Sequence, residues 1–202
     1  MRHLVLASRN AGKLRELREL IAPLGLEVRS SADFPAVGEI PETGATFEEN
    51  ARLKAETLRD ASGLPALADD SGLSVDALGG RPGVHSARYA GPGATDADNN
   101  ARLLSELSAV PQGGRGAEYV CVIAWAVPGA PTRFFRASAR GRIVREARGA
   151  GGFGYDPYFL SDDLGVTFAE AEPAAKHAVS HRGLAMRRWL DFLLSPNERS
   201  TP

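Results

Sequence analysis

The chain has 202 residues, 43% of them hydrophobic and 24% charged, which is ordinary globular composition with enough apolar side chains for a sizeable core. Lys and Arg total 24 against 25 Asp and Glu, a formal net charge of −1 that argues against a dedicated nucleic-acid binder. No apolar run approaches the roughly 18 residues of a membrane span, residues 1–30 carry no signal-peptide pattern, and the single Cys121 excludes an internal disulfide and a multi-cysteine metal knot. The expectation is a cytoplasmic protein with neither membrane nor nucleic acid as partner.

Leu4 to Ala7 reads as a short buried strand, and Ser8-Arg9-Asn10-Ala11-Gly12 turns the chain into a helix. Leu14, Leu17, Ile21 and Leu24 give that helix its apolar face, and Gly25 stops it. Thr46 and Glu49 form a capping box for a second helix with Phe47, Ala51, Ala55 and Leu58 on its stripe, ending at Ser62-Gly63. Leu64 to Ala68 predicts another strand that finishes in Asp69-Asp70-Ser71-Gly72. Thr95 to Leu107 has helical spacing, and Tyr119 to Val127 is nearly continuously apolar, as in a strand covered on both faces. Phe134–Ala139 and Arg142–Arg145 predict neighbouring strands, and Ser180 caps a last helix burying Ala185, Trp189, Phe192 and Leu193. Strands and helices interleave without strict alternation, so the fold class is α/β around a mixed sheet. Residues 1–194 are expected to form one domain, and residues 195–202, polar and bracketed by prolines, a disordered tail.

Four constellations could carry chemistry. Ser8-x-Asn10-x-x-Lys13 lies where a helix N-terminus would offer N–H groups to a phosphate, and a cation in the first turn opposes the helix dipole unless an anion sits there. Read alone, it is better taken as an ordinary capped helix with a solvated lysine, and it lacks the Walker A pattern. Glu42 and Asp69-Asp70 are carboxylates near a strand end, where a hard divalent cation and substrate phosphates could meet, yet Asp-Asp-Ser-Gly is also a good turn. Gly151-Gly152-Phe153-Gly154-Tyr155-Asp156 could leave an aromatic face open to a base, or form a hairpin with buried aromatics. Lys176 with Ser180-His181-Arg182 brings three donors to a helix start, although His181 and Arg182 alone could be surface residues beside a cap. The histidines show no zinc spacing, no G-x-S-x-G elbow exists, and Cys121 reads as a small core residue.

In this order the segments resemble the inosine triphosphate pyrophosphatase (Ham1-like) family. The carriers are Ser8-Arg-Asn-Ala-Gly-Lys13, Glu42-Thr-Gly-Ala-Thr-Phe-Glu-Glu-Asn50, Ala68-Asp-Asp-Ser-Gly-Leu-Ser-Val-Asp76, Pro82 to Gly91, Gly151 to Asp156 and Ser180-His-Arg182, spread from Leu4 to about Leu194. The resemblance implies an elongated mixed sheet flanked by helices, two lobes around a central cleft, and a homodimer. It also implies Mg²⁺-dependent hydrolysis of deaminated purine nucleoside triphosphates (dITP, ITP, XTP) to monophosphate and pyrophosphate, and it leaves Mn²⁺ open as the working metal. By the same resemblance, Ser8, Arg9, Asn10, Ala11, Gly12 and Lys13 would hold the triphosphate, with Lys54 nearby. Glu42, Asp69 and Asp70 would hold the metal, and Asp70 would take the proton of the attacking water. Ser71 would touch the substrate, Phe153 would stack on the base, and Gly154, Tyr155, Asp156, Lys176, His181 and Arg182 would bind or frame its edge. The chain departs from the family pattern at Ala174-Ala175, where acidic residues are common, and at Arg9, where a small residue is frequent.

Overall fold

The structure, a computed structural model, describes residues 3–8, 14–15, 17–18 and 21–195. Its strands are β1 (His3–Leu6), β2 (Glu27–Ser30), β3 (Ala66–Val75), β4 (Gly116–Ala126), β5 (Arg133–Ile143) and β6 (Phe159–Ser161). They form one sheet in the order β2-β1-β3-β4-β5-β6, in which β1 pairs parallel with β2 and β3 while β5 and β6 are antiparallel. The sheet is therefore mixed, as expected. The helices that can be bounded are α1 (Phe47–Ser62), α2 (Asp96–Glu106), α3 (Pro173–Val179) and α4 (His181–Leu194). Ahead of them Leu14, Arg15, Leu17, Arg18 and Ile21 are helical, and the apolar three of these are buried. Among the described residues no helix is long and apolar enough to cross a membrane.

Local chemistry explains the boundaries. Thr46 accepts from the Glu49 amide at 3.1 Å and Glu49 returns a carboxylate to the Thr46 amide at 3.2 Å, so the expected capping box starts α1; Gly63, with φ +67°, ends it. Thr95 and Asp98 make the same box at the start of α2. Ser180 accepts from the Gly183 amide at 3.2 Å and caps α4.

Two expectations need correction. Asp69-Asp70-Ser71-Gly72 is not a turn: β3 runs straight through it to Val75, because Leu73 and Val75 are fully buried and extend the ladder. Likewise Phe134 to Arg145 is not two strands, since β5 continues through Arg140-Gly141 with alternate residues buried. Short strands β2 and β6 and helix α3 carried too little periodicity to be predicted.

The chain divides into two compact units, Met1–Asp70 with Val122–Arg136 and Met186–Pro202, and Ser71–Cys121 with Ala137–Ala185. In the first, Ala51, Ala55, Ala68, Val122, Ala124 and Ala126 let α1 lie close on the sheet, while Val5, Leu58 and Ala66 form an adjoining cluster. In the second, Leu73, Leu103, Leu107, Tyr119, Ile143, Phe159 and Phe168 build an aromatic-rich core. Cys121 is fully buried, as expected. Of the expected tail, residues 196–202 lie outside the described residues.

Candidate active site

In the first unit α1 places a lysine among acceptors. Lys54 Nζ donates to Glu42 Oε1 at 3.0 Å, to the Asp69 carbonyl at 2.7 Å and to Asp70 Oδ1 at 2.9 Å. Asp69 thus meets the ammonium through its backbone. Alternation along β3 turns the Asp70 side chain inward, where it is only 7% exposed. Burial raises the Asp70 pKa above the usual carboxylate value; Lys54 pulls it back, Glu42 adds to the rise, and the Asn50 hydrogen bond opposes it. Burial works against the Lys54 charge as well, but Asp70, with Asp69 and Glu42, outweighs it and lifts the ammonium above its ordinary value. Both folded pKa values are therefore raised, Asp70's by burial and Lys54's by the carboxylates around it.

Asn50, fully buried on the same face of α1, orients this cluster. Its Oδ1 accepts from the Gly44 amide at 2.7 Å, which leaves Nδ2 to donate to Asp70 Oδ2 at 3.3 Å. Gly44 is needed for that close approach: a Cβ there would sit 2.7 Å from Glu49 Cβ and 2.8 Å from Asn50 Oδ1. The loop carrying Glu42 is in this way tied to the residue that steadies Asp70. Ser8 follows β1, and its carbonyl accepts from Ser30 Oγ at 3.1 Å. Arg9, Asn10, Ala11, Gly12 and Lys13 lie outside the described residues.

The oxygen-only donor set of Glu42, Asp69 and Asp70 already converges on one cation, the Lys54 ammonium. Hard oxygen donors of this kind fit Mg²⁺ or Mn²⁺. No group of three or more His, Cys, Asp or Glu side chains arranged as a metal centre occurs among the described residues, so any ion here needs substrate or water oxygens to complete its shell.

The second unit holds an aromatic cluster. Asp156 is buried, and its carboxylate accepts from Lys176 Nζ at 2.6 Å, the Phe153 amide at 2.9 Å and the Tyr119 hydroxyl at 3.4 Å. Gly152 has φ +75°, and a Cβ on it would fall 2.2 Å from Asp156 Oδ2, so only glycine lets the loop close over that carboxylate. Phe153 is 65% exposed, with Lys176 Nζ 5.3 Å from its ring centre. Tyr155 points the other way, into the core, donating its hydroxyl to the Ser86 carbonyl at 2.8 Å; burial raises its pKa far above the usual phenol value. The two aromatics of the glycine-rich segment therefore split between surface and core.

His181 is buried, not at the surface, and stacks on Tyr119 with ring centres 4.7 Å apart and 8° between planes. Arg182 Nη2 donates to Ser71 Oγ at 3.3 Å. Gly154 is held at both peptide groups, by Asp96 Oδ2 on its N–H at 2.7 Å and by Asn100 Nδ2 on its carbonyl at 2.8 Å.

Sequence reasoning assigned no role to Asn50, Asp96, Asn100 or Tyr119. A signal existed for two of them. Asn50 falls on the apolar stripe of α1 and Asn100 on the side of α2 that carries Leu103, so polar side chains occupy buried helical positions and need partners. Asp96, an exposed residue of the first turn, and Tyr119, at the start of an apolar strand, gave none.

Residues 4–192 match the Ham1 family. A dITP/XTP pyrophosphatase of Geobacillus kaustophilus is 51% identical over 188 residues, covering 93% of this chain and 92% of that protein. One of Nocardia farcinica is 49% identical, covering 99% and 98%. Among solved structures, a HAM1 protein from Coxiella burnetii superposes with a TM-score of 0.91 at 43% identity, covering 96% of this chain and 98% of that one. A nucleoside-triphosphatase described as a dITP/XTP pyrophosphatase, from Mycobacterium abscessus, gives 0.80 at 44%, covering 95% and 98%.

Proposed function

The chain belongs to the Ham1 family, and we propose that it hydrolyses deaminated purine nucleoside triphosphates to the monophosphate and pyrophosphate, removing them from the nucleotide pool. The observation that carries this reading is the convergence of Glu42, Asp69 and Asp70 on Lys54, an oxygen cage built to hold positive charge and closed here around a fixed ammonium. Glu42, Asp69 and Asp70 would hold Mg²⁺, which when bound offsets phosphate charge and makes water easier to deprotonate.

The chain's own groups then divide the work. Asp70 accepts the proton from the water that attacks the α-phosphorus; burial raises its pKa and makes it a better base than an exposed aspartate. The bond from the α-phosphorus to the bridging oxygen breaks, and pyrophosphate leaves with that oxygen. Lys54, firmly protonated, spends its three N–H groups on Glu42, the Asp69 carbonyl and Asp70 and adds a fixed positive charge near the phosphates, while Ser8, Arg9, Asn10, Ala11, Gly12 and Lys13 bind the triphosphate in the phosphate loop. At the base end Phe153 offers an open ring face. Lys176, His181 and Arg182 are donors, which fit the C6 carbonyl of hypoxanthine or xanthine and would leave a donor unpaired against the amino group of adenine. Asp156 aims Lys176 and Tyr155 anchors the loop. The proposal includes a homodimer, as the family resemblance implies, acting in the cytoplasm, as the sequence reading expects.

Chromatographic product analysis with dITP and XTP beside dATP, dGTP and dTTP, with Mg²⁺ or with chelator, tests the reading. Monophosphate and pyrophosphate from the deaminated purines alone, and only with metal, is the expected result. Orthophosphate with diphosphate, or equal turnover of dGTP, refutes it.

A further inference from the structure

The ring of Phe153 is exposed, but its backbone is not loose. The Phe153 N–H donates to Asp156 Oδ2 and its carbonyl accepts from the Asp156 N–H at 3.2 Å. The Gly154 N–H goes to Asp96 and its carbonyl to Asn100. All four polar backbone groups beneath the ring are thereby fixed, two of them by a single helix.

Asp96 and Asn100 stand one turn apart on α2, so they face the same way and can grip both sides of one residue. Asn100 is buried, and the other end of its amide, Oδ1, has no partner among the described residues. A buried acceptor without a partner is destabilising. What the amide does secure is the carbonyl of Gly154. From this we infer that Asp96 and Asn100 are positioning residues for the base: the first turns of α2 clamp Gly154 and set the plane of the Phe153 ring before substrate arrives. A platform fixed in advance spares the ordering of a loop at the moment of binding.

The inference rests on Phe153 stacking against the base, as proposed above. Its test is a double-mutant cycle on KM for dITP with Phe153→Ala, Asn100→Ala and the double variant, with hydrogen exchange of residues 151–156 in the unliganded protein as a second readout. Phe153→Ala is expected to raise KM about 5- to 100-fold, the range of lost base stacking. Asn100→Ala should raise KM about 3- to 10-fold with kcat within about twofold, and should add nothing in the Phe153→Ala background, because it acts through the ring. Asp96→Ala should speed exchange at Gly154, and Asp96→Asn, which keeps an acceptor, should restore it.

The same KM factor for Asn100→Ala in both backgrounds overturns the inference, as does unchanged exchange in Asp96→Ala. An unaltered KM in Phe153→Ala instead refutes the base-stacking reading itself, and the inference falls with it.

Discussion

Replacing Lys54 by methionine keeps an unbranched side chain as far as the Cε position and removes the ammonium on which Glu42, Asp70 and the Asp69 carbonyl converge. At about 3 Å and an effective dielectric near 20, each ion pair is worth about 5 kcal/mol before solvation is counted. Much of that is regained when Lys54 leaves, and breaking a buried pair typically costs about 3–5 kcal/mol. Glu42 keeps 32% of its side chain in solvent, which screens its share, so about 2–4 kcal/mol is the expected loss. For a chain of this size that lowers Tm by about 5–15 °C. Thermal unfolding near neutral pH in chelator measures it. Repeating the melt with millimolar Mg²⁺ should raise the Tm of Lys54→Met more than that of the wild type, because the ion replaces the lost positive charge.

The pH dependence has a definite sign. The folded pKa of Lys54 is raised, so its stabilisation is complete below 10.5 and fades only as pH climbs through the still higher folded value. The folded pKa of Asp70 is also raised, so its charge is a liability that acid removes, starting above 3.8. The gap between wild type and variant should therefore narrow on acidification as the orphaned carboxylates protonate. Equal Tm values to within about 1 °C at neutral pH would show that Lys54 is not the counter-charge of this cluster.

Asp70→Asn should lower kcat by about 10²–10⁴-fold while melting within about 3 °C of the wild type, since burial penalises the charge it removes; near-normal turnover in the folded variant would take Asp70 out of the mechanism. Asp156→Ala strips the acceptor from Lys176, the Phe153 amide and the Tyr119 hydroxyl. It should cost about 3–5 kcal/mol in denaturant unfolding and raise KM for dITP, and an unchanged midpoint would contradict the role given to that buried carboxylate.

Much was readable from residues alone because it is local. The capping box at Thr46, the glycine stop at Gly63 and the apolar run of β4 depend on neighbours within a few positions. The motifs that carry the family resemblance are local too, and they contain Glu42, Asp70 and Phe153. Neighbour rules failed where a ladder overrides them. Asp69-Asp70-Ser71-Gly72 has turn composition, yet it is strand because buried Leu73 and Val75 extend the same ladder beyond it.

Roles within a motif needed the fold. Tyr155 and Phe153 are both aromatics of one glycine-rich segment, but only packing against Ser86 commits the first to the core and leaves the second open. His181 is ambiguous as a sequence position until Tyr119, 62 residues earlier, supplies a ring to stack on. The sequence by itself determined which chemical groups exist and which helices and strands carry them, since propensity, capping and periodicity act over one or two turns. Only the tertiary structure decided which of those groups are desolvated and paired. That Asn50 steadies Asp70, and that Asn100 holds Gly154, are contacts across 20 and 54 positions. No pattern of near neighbours encodes such contacts, because chain closure over those distances is set by the packing of the whole core.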